Sequence, residues 1–305
     1  MSNLDLTTEA GCEIKTGCGA VELLIKPKDK NLGGFCVRRV LPNQQVKCIG
    51  PWIFFDHMGP ANFAAGDGID VRPHPHINIA TVTYLFDGAI LHKDSIGSVQ
   101  TIRPGDLNLM VTGSGMVHSE REPPEIKNKP HSVHGLQLWL ALPEKDEETD
   151  PAFYHYPATD IPSTRVNGVS IRVMMGEAFG LCSPVKTFSP ILYIEAQLKA
   201  GQTLKLPCAN QRGLYVVYGE VSFRDIVAKE HSMVVLNDEP GVILEAKQDT
   251  QIALIGGNEI GHRYIDWNFV SSRKERVEQA KCDWKEQRFP LIPTDHQEYI
   301  PYPNK

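Results

Sequence analysis

His74-Pro75-His76 and His118-Ser119-Glu120 set ligand-type side chains two residues apart. On an extended strand, residues i and i+2 point to the same face, so each pair can present both side chains to one ion. Turn signals separate the two pairs, at Pro104-Gly105-Asp106 and Gly113-Ser114-Gly115. Two such pairs on separate strands can converge inside a small barrel, whose interior receives every second side chain. Three imidazoles and one carboxylate make a mixed nitrogen and oxygen set, which suits Fe(II), Ni, Cu or Zn better than Mg or Ca. On an octahedral ion, four ligands leave two positions for substrate and dioxygen or water.

Short strands must position these residues. Apolar, β-branched segments bounded by turn residues fall at 37–41, 53–55, 77–86, 106–110 and 135–142. Phe86-Asp87-Gly88 is a hairpin signal, because Asp-Gly accepts the positive φ of a tight turn. The acidic stretch 144–150, followed by Pro151, predicts a solvated linker to about residue 165. Strands are then expected near Ile171 and Leu192, and at 213–223, 232–236, 242–246 and 251–255. Tyr84, Gly88 and Asp94 repeat the spacing of Tyr215, Gly219 and Asp225, which argues for two copies of one β-domain. Ser272-Arg273-Lys274-Glu275 fits a capping box and predicts a helix over 273–287. Val277, Ala280 and Trp284 form its docking stripe.

Composition narrows the functional classes. The chain has 305 residues, 41% hydrophobic and 22% charged, an ordinary globular balance. Its net charge of −6 excludes any role that rests on overall attraction to nucleic acid or an anionic membrane. None of the seven cysteines forms a C-x-x-C pair, which predicts free thiols in a reducing compartment. No secretory h-region opens the chain and no run of 18 apolar residues occurs, so a cytoplasmic protein is expected. There is no G-x-S-x-G elbow, and Gly113-Ser114-Gly115 lacks the Lys-Ser/Thr of a phosphate loop.

The H-x-H pair, Gly88, Pro104-Gly105-Asp106, Gly113-x-Gly115 and His118 resemble the two motifs of the cupin superfamily. More closely, His74-Pro75-His76, Thr83-Tyr84-Leu85, Gly115-Met116-Val117-His118 and His134-Gly135-Leu136-Gln137-Leu138-Trp139 resemble the pirin family. The resemblance is strongest over 34–142, extends over 166–270 and the C-terminal helix, and leaves the first 30 residues uncovered. It implies an all-β bicupin: two tandem jelly-roll-like β-barrels with a C-terminal helix. The expected division is an extension at 1–33 with one edge strand, a metal-binding barrel at 34–143, a linker at 144–165, a second barrel at 166–262, and a helix and tail at 263–305. The metal, Fe(II) first with Ni, Cu, Mn or Zn as alternatives, is implied at His74, His76, His118 and Glu120. Aligning Tyr215 on Tyr84 sets Lys205 and Pro207 opposite His74 and His76, and no H-x-H or H-x-E occurs within 166–262. The second barrel is therefore expected to lack a metal. One position departs from the pattern: many cupins carry Glu four residues after the second His, and here Ala80 stands there.

The implied activity is a dioxygenase of the quercetin (flavonol) 2,3-dioxygenase type, with Glu120 taking the proton of a substrate hydroxyl. The alternative is a redox-responsive, iron-binding co-regulator that binds a transcription factor or a metabolic enzyme. No direct contact with nucleic acid is expected, and two fused barrels that cover one another suit a monomer. His134 and Gln137 are candidates to orient a ligand or are ordinary barrel residues, and His57 lines the pocket mouth or makes a structural hydrogen bond. His92 reads as a surface residue.

Overall fold

Four β-layers form the body of the protein, seen in a computed structural model that describes residues 12–13, 20–31 and 35–303. A seven-stranded sheet runs in the order Ala152–Tyr156, Leu107–Val111, Ile79–Asp87, His131–Ala141, Trp52–Phe63, Cys36–Leu41, Lys28–Asn31. A four-stranded sheet of Asp70–His76, Met116–Arg121, Ile90–Asp94 and Val99–Ile102 closes the first barrel over it. The second barrel pairs an eight-stranded sheet, centred on Gln211–Tyr218 and Thr250–Gly257, with its own four-stranded sheet. Its interior is packed with Val216, Ile194, Leu204, Val221 and Leu244 and their neighbours. The all-β bicupin with one C-terminal helix is thus as expected. Among the described residues no helix is long and apolar enough to cross a membrane, and Cys36, Cys48, Cys182, Cys208 and Cys282 are free thiols. Cys18 and the side chain of Cys12 lie outside the described residues.

The two large sheets pack face to face. Phe55, Val82 and Leu138 of one meet Tyr193, Met233 and Ile255 of the other in a single buried cluster. Each large sheet therefore has two buried faces, one toward its own barrel and one toward the partner barrel. The repeat read from the sequence sits on this seam. Tyr84, Leu136, His57 and Arg38 form one register row, and Tyr215, Ala253, Glu195 and Arg172 form its counterpart. The rows are joined reciprocally: the Tyr84 hydroxyl donates to Glu195, and the Tyr215 hydroxyl bonds His57 Nδ1 at 2.8 Å. Arg172 completes one junction by donating to the Tyr84 oxygen at 2.9 Å. His57 Nε2 lies 2.8 Å from His134 Nε2 at the other.

Three expectations change. The stretch 144–165 is not a solvated linker. Ala152–Tyr156 pairs with Leu107–Val111, Ser163–Val166 pairs with Val169–Met175, and Glu147 is buried. Its carboxylate accepts from the Ser271 hydroxyl at 3.0 Å and from the Ser272 amide and hydroxyl at 2.8 Å, and lies 2.9 Å from Arg263 Nε. The capping box does not form: Ser272 is held by Glu147, and the helix Lys274–Lys285 starts from Arg273 with no side-chain cap. The helix does bury Val277, Ala280 and Trp284. The expected edge strand, Val21–Ile25, lies between Met233–Leu236 and Cys12–Glu13, so it is not an edge and belongs to the second barrel's sheet. The C-terminal segment packs in the opposite sense, on the first barrel. Phe269 bridges Ile77, and the Ile300 amide donates to the Pro73 carbonyl at 2.8 Å.

Replacing Glu147 by Ala strands a buried guanidinium and two serines. Chemical denaturation is expected to show a loss of about 3–5 kcal/mol, with the isosteric Gln costing less. The seam is also acid-sensitive. Burial, reinforced by the charges of His134, His231 and Arg38, pushes His57 down to about 2 from 6.5. Burial pushes His134 down to about 4. Both are neutral when folded and bind protons more readily when unfolded, so stability falls as pH drops from 6.5 toward 4. A His134→Gln variant, which keeps a partner for His57 but does not titrate, should lose less stability over that interval than wild type in melts at stepped pH.

Candidate metal centre

His74 and His76 end one strand of the small sheet, and His118 faces His74 directly on the next strand. The i, i+2 geometry and this register bring the three rings together. One ligand atom from each lies within 4.8 Å of the others. All three are buried. Two rings have a fixed tautomer. His74 Nδ1 lies 2.9 Å from the Arg72 carbonyl and His76 Nδ1 3.3 Å from the Asn268 carbonyl. A carbonyl can only accept, so each Nδ1 carries its proton and each Nε2 keeps a free lone pair. Both ring nitrogens of His118 are buried without a hydrogen-bond partner among the described residues. Burial pushes His74 down to about 3. It also drives His76 and His118 well below their ordinary value, with the neighbouring imidazoles adding to the effect. Three neutral, convergent imidazoles, one of them unsatisfied, fit a divalent cation: the ion supplies the missing partner, and no ligand has to lose a proton first.

Glu120 lines the same cavity but its carboxylate is not within that tight group of nitrogens. A β-bulge between His118 and Glu120 sets Glu120 opposite Val71, out of step with His74. Its carboxyl is pushed up by burial, and His92 and a hydrogen bond from Thr83 partly offset this. Thr83 Oγ1 also lies 3.0 Å from Gln137 Oε1, so its single hydroxyl proton serves one of these two acceptors at a time. Gln137 therefore stands behind Glu120, as a polar neighbour of the cavity.

His134 and His57 do not reach the centre. They lie on the seam with the second barrel, and parity explains both. Asp56 lines the cavity, so His57, the next residue, turns away. Gln137 lines the cavity, and His134 is three residues earlier on the same strand, an odd step. Ala80 likewise packs into the seam; a Glu there would face the other barrel, so its absence leaves the cavity unaltered. His92 is buried, not superficial: it bonds Asp94 at 3.0 Å and its ring lies 5.4 Å from that of His118. A further H-x-E triplet, His296-Gln297-Glu298, is engaged elsewhere, with His296 on the Ile292 carbonyl and Glu298 on Arg121.

The sequence reading missed Arg39 and Asp56 in the cavity wall. They form a buried, two-point ion pair, Nε to Oδ1 at 2.8 Å and Nη2 to Oδ2 at 2.7 Å. The available signal was a charge inside each of two apolar strands, Val37-Arg38-Arg39-Val40 and Phe54-Phe55-Asp56, since buried charges are almost always paired. Arg39 lies over Phe54 at 4.4 Å, Phe54 stacks on Trp139 at 4.1 Å, and Trp139 meets His76 edge-on at 4.8 Å. This ladder ties the wall to the histidines. The enclosed space is small, about 50 Å³.

Comparison with known proteins agrees with this architecture. Residues 34–140 match the Pirin family model and residues 193–290 the Pirin C-terminal cupin domain. A pirin-like protein of Caulobacter vibrioides is 43% identical over 289 residues, covering 93% of this chain and 99% of that protein. Human pirin is 29% identical over 276 residues, covering 87% of this chain and 92% of its own. The crystal structure of a quercetin 2,3-dioxygenase from Acinetobacter baumannii superposes with a TM-score of 0.86 at 32% identity, over 92% of this chain and 95% of that one. With both barrels matched and a relative this similar over nearly its whole length, the chain belongs to the pirin family.

Proposed function

We propose that this protein is a metal-dependent dioxygenase of the quercetin 2,3-dioxygenase type, acting at His74, His76, His118 and Glu120. The observation that carries the reading is the buried, neutral three-histidine cluster in which both His118 nitrogens lack a partner among the described residues. The similarity to the Acinetobacter enzyme supports the choice of reaction. Fe(II) is the first choice of ion; Ni, Cu, Mn and Zn suit the same donors, and availability selects among them. When bound, the ion serves as Lewis acid and template for the substrate oxygens and dioxygen.

The chain's own residues do the rest. Glu120, its carboxyl raised by burial, accepts the proton of a substrate hydroxyl, and a raised pKa makes it the stronger base. Thr83 aims the carboxylate when its hydroxyl proton turns from Gln137 to Glu120. Apolar wall residues such as Val37, Phe54 and Trp139 exclude bulk water. The substrate class is a small aromatic with adjacent oxygens, flavonol-like, and the second barrel is scaffold.

One observation favours a second reading, a redox-responsive iron-binding co-regulator with a protein partner. The cavity of about 50 Å³ is far below the ~300–1,000 Å³ of sites for drug-sized ligands, so a flavonol enters only if a wall moves. A surface cleft of about 700 Å³ adjoins the cavity, and Phe35 lines both.

Elemental analysis should find about one divalent metal per chain, and His118→Ala should weaken metal affinity by more than the ~10–100-fold typical of losing an outer hydrogen-bond partner. Glu120→Gln should retain metal and lower oxygen uptake with quercetin by ~10²–10⁴-fold. Full metal content with no uptake on any flavonol would overturn the dioxygenase reading and leave the co-regulator.

A further inference from the structure

Arg39 carries a donor that no described residue uses. Its Nε and Nη2 are spent on Asp56, and the side chain is only 5% exposed. Its Nη1 is buried with no hydrogen-bond partner, on a residue that lines the same small cavity as His74, His76 and His118. The two groups stand on opposite walls: the histidines on the four-stranded sheet, Arg39 on the seven-stranded one. Asp56 and Phe54 fix the guanidinium on two sides, the one in its plane and the other against its face. A buried guanidinium arm left dry is costly, and a rigid one is selective.

We infer that Arg39 Nη1 is the second anchor of the cavity, and that the substrate presents an anionic oxygen, a carboxylate or enolate, to it. This rests on the metal-centre reading, which supplies the first anchor across the cavity. The Arg39–Asp56 pair is neutral as a unit, so the preference comes from a charge-assisted hydrogen bond, roughly twice as strong as one to a neutral acceptor. The volume of about 50 Å³ limits the part of the substrate held between the anchors to a few non-hydrogen atoms, since one water occupies roughly 30 Å³ of liquid. Arg39 touches the substrate in this arrangement and determines specificity; it moves no proton.

The test uses acetate as probe and acetamide as its neutral isostere, titrated calorimetrically into metal-loaded and chelator-treated full-length protein. Arg39→Lys keeps a cation for Asp56 but has no second arm for the cavity. Wild type is expected to bind acetate at least about tenfold more tightly than acetamide, as the charge-assisted bond requires. Arg39→Lys, at wild-type metal content and melting temperature, is expected to lose that preference. Equal acetate affinity in wild type and Arg39→Lys, with metal content intact, would overturn this inference alone. Arg39-dependent acetate binding in a protein that takes up no metal would support this inference and overturn the metal reading alone. If Arg39→Lys does not fold, the ¹⁵N-guanidinium resonances of wild type serve instead: acetate should shift the Arg39 Nη signal, and an unmoved signal at saturating acetate would overturn the inference.

Discussion

Everything in the first barrel depends on the alternation of side chains across one sheet with two buried faces. In the seven-stranded sheet, each residue that reaches the cavity is followed by one that must fit the seam with the second barrel. Asp56 faces the cavity and His57 the seam; Thr83 faces the cavity and Tyr84 the seam. Neither face sees bulk water, so each polar group on either side needs a specific partner. The result is two polar systems back to back through one sheet. On one side Arg39, Asp56, Gln137 and Thr83 follow one another in register. On the other run the paired rows of tyrosine, carboxylate, imidazole and guanidinium. A one-residue slip would exchange the two sets, which makes the register as constrained as the fold itself.

That alternation also decides how much could be read in advance. The i, i+2 histidines were legible because a period of two is what a strand imposes, and because two pairs with turns between them can meet in a barrel. The repeat around Tyr84 and Tyr215 was legible as spacing, but its meaning was not: it marks the contact between barrels. For His57 and His134 the structural alternative holds: their odd offsets from Asp56 and Gln137 send them to the far face, where His57 hydrogen-bonds Tyr215 and His134. Arg39 and Asp56 were invisible as a pair because their partnership is non-local. The linker was misread from composition, since five acids look solvated until one of them meets Arg263. Glu120 shows the limit of pure periodicity, because a single bulge changes what a residue two positions from a ligand stands beside.

The electrostatic character of the cavity follows from burial more than from charge count. Asp56 is cancelled by Arg39, and the histidines are neutral. Glu120 is the remaining acid of the cavity, and burial holds its carboxyl above the usual carboxylate range. Introducing a dication would give the cavity a net positive charge within walls that are otherwise aromatic and aliphatic. In such surroundings a single charge or donor counts for far more than on the surface.

The crossing of the two chain ends has a consequence for biosynthesis. Val21–Ile25 is made early, yet its sheet partner Met233–Leu236 follows about two hundred residues later. His76 is made early, yet the carbonyl that fixes its tautomer belongs to Asn268. A chain not yet extended to residue 268 can therefore hold a first barrel in which His76 still lacks the carbonyl that fixes its orientation. Completion of the histidine cluster thus depends on residues outside the barrel that carries it.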